Sequence, residues 1–435
     1  MQFKKLSIIA LAVAAASAQL AQASEQSESK GFVEDSNLVL LNKNFAFYRD
    51  FHNNPGGQNY RNEWAHGILA TYESGFTQGT VGFGVDAHAM LGLKLNSGGG
   101  TNGTGLLPVG DDGKADDDYS EAGGAIKVRV SSTTLKYGNL MPTGPVFATG
   151  TARLLPGTAE GFQLLSNEID GLNLDAGHFT STNDVNSSNH DGEILAAYAG
   201  VAADSADYVG GSYSINDDVS VSLYGSEFED VWRQYYGNLN YNIPLGTERA
   251  LNFDFNIYKT SETGDELVGK IDNTTWSLAA AYSMGAHKFT LAHQRVNGDE
   301  PFDFLALGEG QFGDSIFLAN SVQYSDFNGP NEKSWQVRYD LDMASYGVPG
   351  LSFMARYITG DDIDGTKADP TGAYAGVYGD NQKHWERNLE AKYVVQEGAA
   401  KDLSFRIRHA THRATAFDSD LDEIRVITEY PLDIL

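Results

Sequence analysis

Apolar and polar residues alternate in several segments of about ten residues, and this pattern constrains the fold more than any other feature. Leu403, Phe405 and Ile407 share one face of an extended segment, whereas Arg406 and Arg408 share the other. The same alternation occurs at 126–131, 251–257, 335–341 and 389–393. A soluble sandwich would alternate too, but these segments have the length of tilted membrane strands, and aromatic residues recur near their ends. The pattern therefore favours an antiparallel β-barrel in a membrane.

The connections between these segments are alternately short and long. The short ones are 74–79, 244–248, 283–286, 344–350 and 397–401, and the long polar ones are 94–122, 259–272, 296–333 and 359–385. Outer-membrane barrels have short periplasmic turns, long outer loops and an even number of strands. The best partition predicts eighteen strands, which begin near residues 36, 63, 79, 123, 133, 161, 192, 206, 218, 234, 248, 273, 286, 333, 351, 386, 402 and 422.

The first 23 residues have the features of a secretory signal peptide. Lys4 and Lys5 precede the apolar stretch 6–18, and Ala21-Gln22-Ala23 provides the small residues of a cleavage site. No later segment approaches the roughly 20 apolar residues that a membrane helix needs. Residues 24–435 are therefore expected to form an exported barrel in the outer membrane of a Gram-negative cell.

Composition excludes several classes of function. The chain has no cysteine, so disulfides and Cys-ligated metals are impossible. Acidic residues outnumber basic ones by 58 to 30, which gives a net charge of −28 and argues against a nucleic-acid partner. No nucleophile elbow, zinc-protease helix or phosphate-binding loop is present. The loop acids near 111–118 and 361–364 lack the spacing of a calcium loop. We predict no catalytic residue, no metal and no cofactor.

Basic residues recur on the polar side of the predicted strands, which is the lumen of a barrel. They are Arg129, Arg338, Arg356, Lys392, Arg406, Arg408 and Arg425. The planar donor fork of arginine fits carboxylates, so the set indicates a wall that binds carboxylate-bearing solutes. The alternative is that lumen acids such as Glu390 or Asp340 neutralise each cation.

Two long connections contain too many apolar residues for loops in solvent. The segment 138–161 combines three prolines with Val146, Phe147, Leu154 and Leu155, and the segment 296–333 is similarly apolar. Such loops are expected to fold inward against the barrel wall. As an alternative for the second segment, 315–324 could be an ordinary strand.

The chain resembles the OprD family of substrate-specific outer-membrane porins. The resemblance is carried by the stretches at 31–36 (GFVEDS), 71–86, 141–147 (MPTGPVF), 314–321, 347–350, 388–395 and 401–408. It implies an eighteen-stranded barrel, monomeric or weakly trimeric, which the third and seventh outer loops narrow. It also implies a ladder of basic side chains that guides solutes bearing a carboxylate.

The resemblance also implies which residues form the solute site. The ladder is expected at Arg49, Arg61, Arg153, Lys392, Arg406, Arg408 and Arg425, and strand parity adds Arg129. The opposing side of the narrow zone is expected at Tyr198, Asp303, Asp314 and Asp326. Two positions depart from the family pattern: Lys43 stands where relatives often have arginine, and Phe304 where a tyrosine is common in channels for basic amino acids.

The resulting hypothesis is a passive, selective channel in contact with outer-membrane lipid and lipopolysaccharide. Its expected solutes are basic amino acids and small peptides, with aromatic or other cyclic carboxylates as the alternative. Two hypotheses from other classes are an outer-membrane hydrolase with a Ser/His pair on the barrel exterior and a soluble exported adhesin.

Overall fold

The computed structural model describes residues 24–52, 57–308, 310 and 312–435, so the predicted signal peptide at 1–23 lies outside the described residues. Eighteen strands form one antiparallel barrel. They are β1 (Asn37–His52), β2 (Tyr60–Glu73), β3 (Val81–Ser97), β4 (Asp118–Val130), β5 (Thr133–Leu140), β6 (Thr158–Ile169), β7 (Leu172–Asn183), β10 (Ala206–Asn216), β11 (Val219–Phe228), β12 (Trp232–Pro244), β13 (Arg249–Glu262), β14 (Asp272–Met284), β15 (His287–Asn297), β17 (Lys333–Asp342), β18 (Leu351–Ile363), β19 (Gln382–Val394), β20 (Ser404–Ala414) and β21 (Asp420–Asp433).

The barrel closes because β1 pairs with both β2 and β21. Each remaining strand pairs with its sequence neighbours, and the loops after β7 and β15 carry a separate small sheet of β8 (Ile194–Ala196), β9 (Ala202–Ala203) and β16 (Leu305–Leu307). One 3-10 turn, Ala344–Tyr346, lies between β17 and β18. No helix within the described ranges is long and apolar enough to cross a membrane. The predicted fold class is confirmed.

Alternation in the strands divides the barrel into two faces. Large apolar side chains such as Val209 and Leu223 are 64% and 71% exposed on the outside, where lipid covers them. The alternate positions, including Arg406 and Arg408, point inward and are only partly exposed. The parity predicted for β20 is therefore the observed one.

The predicted number of strands is right, but two of its members are wrong. The partition has one strand that begins near 161 and no other before 192, yet residues 158–183 form a hairpin of β6 and β7 around Asp170 and Gly171, and the φ of Gly171 is +74°. The strand predicted to begin near 192 is only the short β8, which belongs to the loop sheet. The two errors cancel, because one barrel strand was missed and one loop segment was added.

The third and seventh outer loops fold into the lumen, as their apolar content predicts. In the third loop, residues 141–157, the Phe147 ring stacks on Phe179 with 4.6 Å between centroids. Leu154 and Leu155, further along the same loop, are 2% and 3% exposed and pack on β2 at Gly67, where a Cβ would lie 3.0 Å from Leu154. A residue without a side chain is thus needed where the loop reaches the wall. The third loop therefore spans the lumen.

The seventh outer loop, residues 298–332, packs beside it and is equally buried. Phe302 is fully buried and Phe304 is 6% exposed. Residues 315–324, considered above as a possible strand, contain no strand and run through the barrel interior as irregular chain. The two loops touch where the Asp314 carboxylate accepts hydrogen bonds from the backbone and hydroxyl of Thr151 at 2.9 and 2.5 Å.

Candidate solute-binding site in the lumen

One side of the lumen carries a nearly continuous series of cations on β17–β21, β1 and β2. Its centre is Glu423, which is fully buried between two arginines. Arg49 donates to one Glu423 oxygen at 2.8 Å, and Arg425 lies 2.8 Å from the other. The guanidinium groups of Arg49, Arg425 and Arg153 all lie within 4.6–5.7 Å of the centre of the Phe47 ring. Three predicted ladder residues therefore meet at one aromatic ring.

Arg153 and Arg61 extend this group towards the outer end. Arg153 lies on the third loop and donates to the carbonyl of Thr104, while Arg61 donates to the carbonyl of Gly103. Burial, with smaller contributions from Arg425 and Arg49, lowers the pKa of Arg153 to about 9, so it remains a cation at neutral pH. Both side chains thus hold the second outer loop in place.

Towards the periplasmic end the series continues through β20 and β19. Arg425 lies directly across from Arg408, and Arg406 lies directly across from Lys392. Glu390 is shared by Arg406 at 2.7 Å and Arg408 at 3.2 Å. Their side chains remain 35% and 19% exposed, and Lys392 has no ion pair within the described residues. This is the accessible part of the series.

Lumen acids therefore neutralise these cations only in part, which limits the alternative stated in the sequence analysis. Glu390 contacts two arginines, Glu423 contacts two more, and Asp340 pairs with Arg338 at 2.6 Å. Because each glutamate is shared, every such group keeps one uncompensated positive charge. An arginine that keeps spare donors and a net charge can bind a passing carboxylate.

Arg129, which strand parity added to the ladder, lies apart from these residues. It sits at the periplasmic end of β4, over the Phe76 ring at 4.0 Å, and donates to Gln26 at 3.0 Å. Glu25 lies 3.6 Å away. These contacts hold the segment at 24–36 against the barrel base, and a solute-binding role for Arg129 stays a prediction.

Across from the cations, Asp303 of the seventh loop holds two neighbouring loops in place. It is fully buried, and its carboxylate accepts hydrogen bonds from the backbones of Tyr198, Ala199 and Phe304 and from the Tyr374 hydroxyl, at 2.7–2.9 Å. Burial raises the pKa of Asp303 to about 6, against the effect of these donors. Asp303 thus positions the fourth and eighth loops on the seventh, and direct contact with a solute stays a prediction.

Tyr198 and Asp326 are the more accessible members of the predicted opposing group. The Tyr198 hydroxyl donates to Asp326 at 2.7 Å, and the Ser321 hydroxyl donates to its other carboxylate oxygen at 2.5 Å. Tyr198 is 43% exposed, and the buried Phe304 ring meets it edge-on at 6.1 Å. The structure brings Tyr198, Asp303 and Asp326 together, whereas Asp314 lies where the third loop meets the seventh.

A cavity of about 560 Å³ lies beneath these loops on the side of β7 and β10–β13. Two carboxylates line it. Asp254 accepts hydrogen bonds from the amides of Asn238 and Asn256, and Asp175 accepts from the Tyr208 hydroxyl at 2.9 Å. No lysine or arginine forms an ion pair with either aspartate in the part of the chain that the structure describes. The lumen is therefore electrostatically two-sided.

Sequence reasoning missed the acids that hold the cationic side in place. Glu423 was not identified, although it shares the parity of Arg425 two residues later and would have been found by extending the alternation through β21. Glu386, fully buried, accepts from the backbone of Tyr324 and Ser325 and so ties the seventh loop to β19. No local signal marks this contact, because it joins residues 61 positions apart.

The comparison with known proteins agrees with this architecture. Residues 30–434 match the model of the outer membrane porin, OprD family. The chain belongs to the OprD family. Porin D of Pseudomonas aeruginosa is 59% identical to it over the full length of both proteins. The porin-like protein GalP of Pseudomonas putida is 32% identical over 94% of this chain and 95% of its own.

Solved structures of OprD-family porins show the same barrel. The crystal structure of Pseudomonas aeruginosa OprD superposes with a TM-score of 0.83 at 56% identity, covering 95% of this chain and 99% of that one. Pseudomonas aeruginosa OpdK, solved with vanillate, gives 0.83 at 36% identity, covering 93% and 100%. This OprD-family protein is therefore an outer-membrane channel of eighteen strands rather than an enzyme, and the hydrolase and adhesin hypotheses are set aside.

Proposed function

We propose that the channel takes up basic amino acids and small peptides that carry a carboxylate. The observation that carries the proposal is the two-sided lumen: cations with a net positive charge on β18–β21 and β1 face carboxylates without cationic partners on β7 and β13. A solute that carries both a carboxylate and a cation therefore finds a complementary group on each side as it passes.

The carboxylate is expected to move along the cationic side by exchange between neighbouring cations. Arg425 and Arg408 are directly opposite each other across two paired strands, as are Arg406 and Lys392. A ligand held by one of these groups therefore reaches the next without crossing a gap in charge. Binding of the carboxylate must be strong enough for entry and weak enough for release. The glutamates that pair with the arginines weaken this binding.

Aromatic or other cyclic carboxylates are the second candidate, and one residue favours them. Phe304 is an apolar ring that meets Tyr198 edge-on, where a tyrosine hydroxyl is common in channels for basic amino acids. Pseudomonas aeruginosa OpdK has been solved with vanillate, an aromatic carboxylate. The two candidates differ in that basic amino acids have a cationic end and aromatic carboxylates do not. The predicted monomeric or weakly trimeric state and the contact with lipopolysaccharide remain predictions.

The test compares uptake of arginine, benzoate and a neutral sugar of similar size through wild type and R406A/R408A. A charge-assisted contact contributes about 1.5–3 kcal/mol, and water in the pore should keep the loss near the lower value, roughly tenfold in binding. Arginine uptake should fall while sugar uptake stays unchanged. The variant R406K/R408K should recover part of the uptake, because it keeps the charge but loses the bidentate fork.

Two outcomes would contradict the proposal. Equal slowing of arginine and sugar would mean that the two arginines shape the pore without recognising the carboxylate. Faster uptake of benzoate than of arginine by wild type would assign the channel to aromatic carboxylates instead.

A further inference from the structure

Cations also occur on the lipid-facing side of the barrel, near the outer ends of its strands. Most of them have an acidic partner on the same face. Arg233 pairs with Glu227 at 3.2 Å, Lys333 with Asp362 at 2.6 Å, Arg413 with Asp422 at 2.9 Å, and Lys259 with Asp272. This pairing is what a hydrophobic environment requires, because an unpaired charge on the lipid face of a barrel is destabilising.

Arg387 and Lys383 on β19 depart from that rule. They share the lipid-facing parity of the exposed Leu389, and both side chains are exposed. Neither has a carboxylate within ion-pair distance anywhere in the described ranges. Among the residues that the structure describes, the Arg387 side chain makes one hydrogen bond, a donation to the Thr411 hydroxyl at 3.2 Å. Most donors of its guanidinium thus point into the surroundings of the barrel.

The surroundings of Arg387 are those of a membrane interface. It lies directly across from Tyr357 on β18, which is 43% exposed and stacks on Trp385 with 5.7 Å between ring centroids. Tyrosine and tryptophan mark the headgroup level of a barrel. Since β19 begins at its outer end, Lys383 and Arg387 lie at the level of the outer leaflet, with Trp385 between them on one face.

We propose that Lys383 and Arg387 bind phosphate groups of the phosphorylated glycolipid of the outer leaflet. A phosphate supplies the negative charge that the protein lacks at this place, and the arginine fork matches its oxygens. The Thr411 hydroxyl and the rings of Trp385 and Tyr357 frame the same position. Because the chain has a strong net negative charge, two cations without acidic partners at the headgroup level are an exception that points to an anionic ligand.

The test measures retention of phosphorylated lipid A, dephosphorylated lipid A and phosphatidylethanolamine by purified channel in detergent, using native mass spectrometry. The variant K383Q/R387Q should retain at least about tenfold less phosphorylated lipid A, because the loss of each charge-assisted contact lowers binding on the order of tenfold. R233Q is the matched control, because it removes a lipid-facing arginine that already has an acidic partner, and its retention should equal that of wild type. R387K should keep part of the binding and shows that a loss is not caused by misfolding.

Equal retention by K383Q/R387Q and wild type would overturn the proposal, as would equal binding of phosphorylated and dephosphorylated lipid A. Displacement of the lipid by an equimolar amount of inorganic phosphate would assign the site to free phosphate and also overturn it. R406A/R408A should retain lipid like wild type, so the outcome is independent of the solute specificity proposed above.

Discussion

The two sides of the lumen are built from the same kind of strand and differ in how their polar side chains are satisfied. On β19–β21 and β1 the inward positions hold arginines, and shared glutamates restrain them. On β12 and β13 the inward positions hold asparagines that bond one another and Asp254: the Asn238 amide donates to Asp254 at 2.7 Å and to Asn256 at 2.9 Å. In strands β7 and β10–β14, all of them within the described ranges, no lysine or arginine has the inward parity.

The difference shows how a barrel can present charge on one side without losing stability. Cations that face water need partners only in part, so one acid for two arginines suffices and leaves a positive side. The amide network keeps the other side polar and leaves Asp254 and Asp175 as partly exposed charges. The strand structure dictates only that side chains alternate between the lumen and the lipid. The charge of the side chains at the lumen positions creates the electrostatic field across the lumen.

The largest expected effect is the loss of Glu423. Glu423→Gln leaves the nearly buried guanidinium groups of Arg49 and Arg425 without their shared acid and removes an acceptor for the Gln323 amide. Breaking a buried ion pair by removing one partner costs about 3–5 kcal/mol, and we expect the free energy of unfolding to fall by about 3 kcal/mol. Denaturant unfolding of the refolded barrel measures this.

Glu429→Gln is the matched control for that change. Glu429 lies on the same strand and the same face, but it is 36% exposed, and its one ion pair among the described residues is with Lys43 at 3.5 Å. An exposed pair contributes up to about 1 kcal/mol, so the control should be destabilised far less. Equal destabilisation by the two substitutions would show that the cationic side does not depend on Glu423.

The second-largest effect is expected from deleting the segment that joins the two sides of the lumen. Residues 143–151 of the third loop carry Phe147, stacked on Phe179, and Thr151, bound to Asp314. Deleting them should raise single-channel conductance several-fold and reduce the preference for carboxylates, because the lumen loses its central obstruction. Unchanged conductance in a barrel that still migrates as folded would place this segment outside the solute path.

Much of this asymmetry could be predicted from sequence, because alternation is local. The parity of Arg406 and Arg408 followed from their neighbours Phe405 and Ile407, and the apolar content of the third and seventh loops predicted their inward folding. The hairpin at 158–183 was missed although Asp170-Gly171 is a strong two-residue turn signal. The short loop sheet around Ile194 could not be distinguished from a barrel strand by its pattern alone.

The packing of loops on walls was beyond sequence reasoning for a different reason. The roles of Asp303 and Glu423 depend on donors about a hundred residues away, such as Tyr198 and Gln323. The local sequence around an acidic loop residue is the same whether its side chain faces the pore or binds another loop. Only the fold shows that Asp303 is enclosed while Asp326 stays partly exposed.

A smaller effect is expected from the acidic side. Asp254→Asn removes a charge but keeps the shape and the contacts with Asn238 and Asn256. Because Asp254 is partly exposed in a wet lumen, the loss of cation binding should not exceed about 1 kcal/mol. Uptake of arginine should fall up to about fivefold, whereas benzoate uptake stays the same or rises. An equal fall for both solutes would mean that the substitution disturbs the amide network.

The smallest expected effect is the coupling between the two sides. Combining Asp254→Asn with R406A/R408A and measuring arginine binding for all four proteins gives their interaction energy. If a solute contacts the two sides in succession, as we expect because the inward loops lie in the lumen between them, the changes should add within about 0.5 kcal/mol. A coupling above about 1 kcal/mol would mean that one solute bridges both sides at once. The carboxylate and the cation would then be recognised in a single bound state, and the cationic side would act as one half of a site instead of a path. Arg61→Gln, which lies nearer the outer end and donates to the Gly103 carbonyl, is the control and should show no coupling with Asp254→Asn.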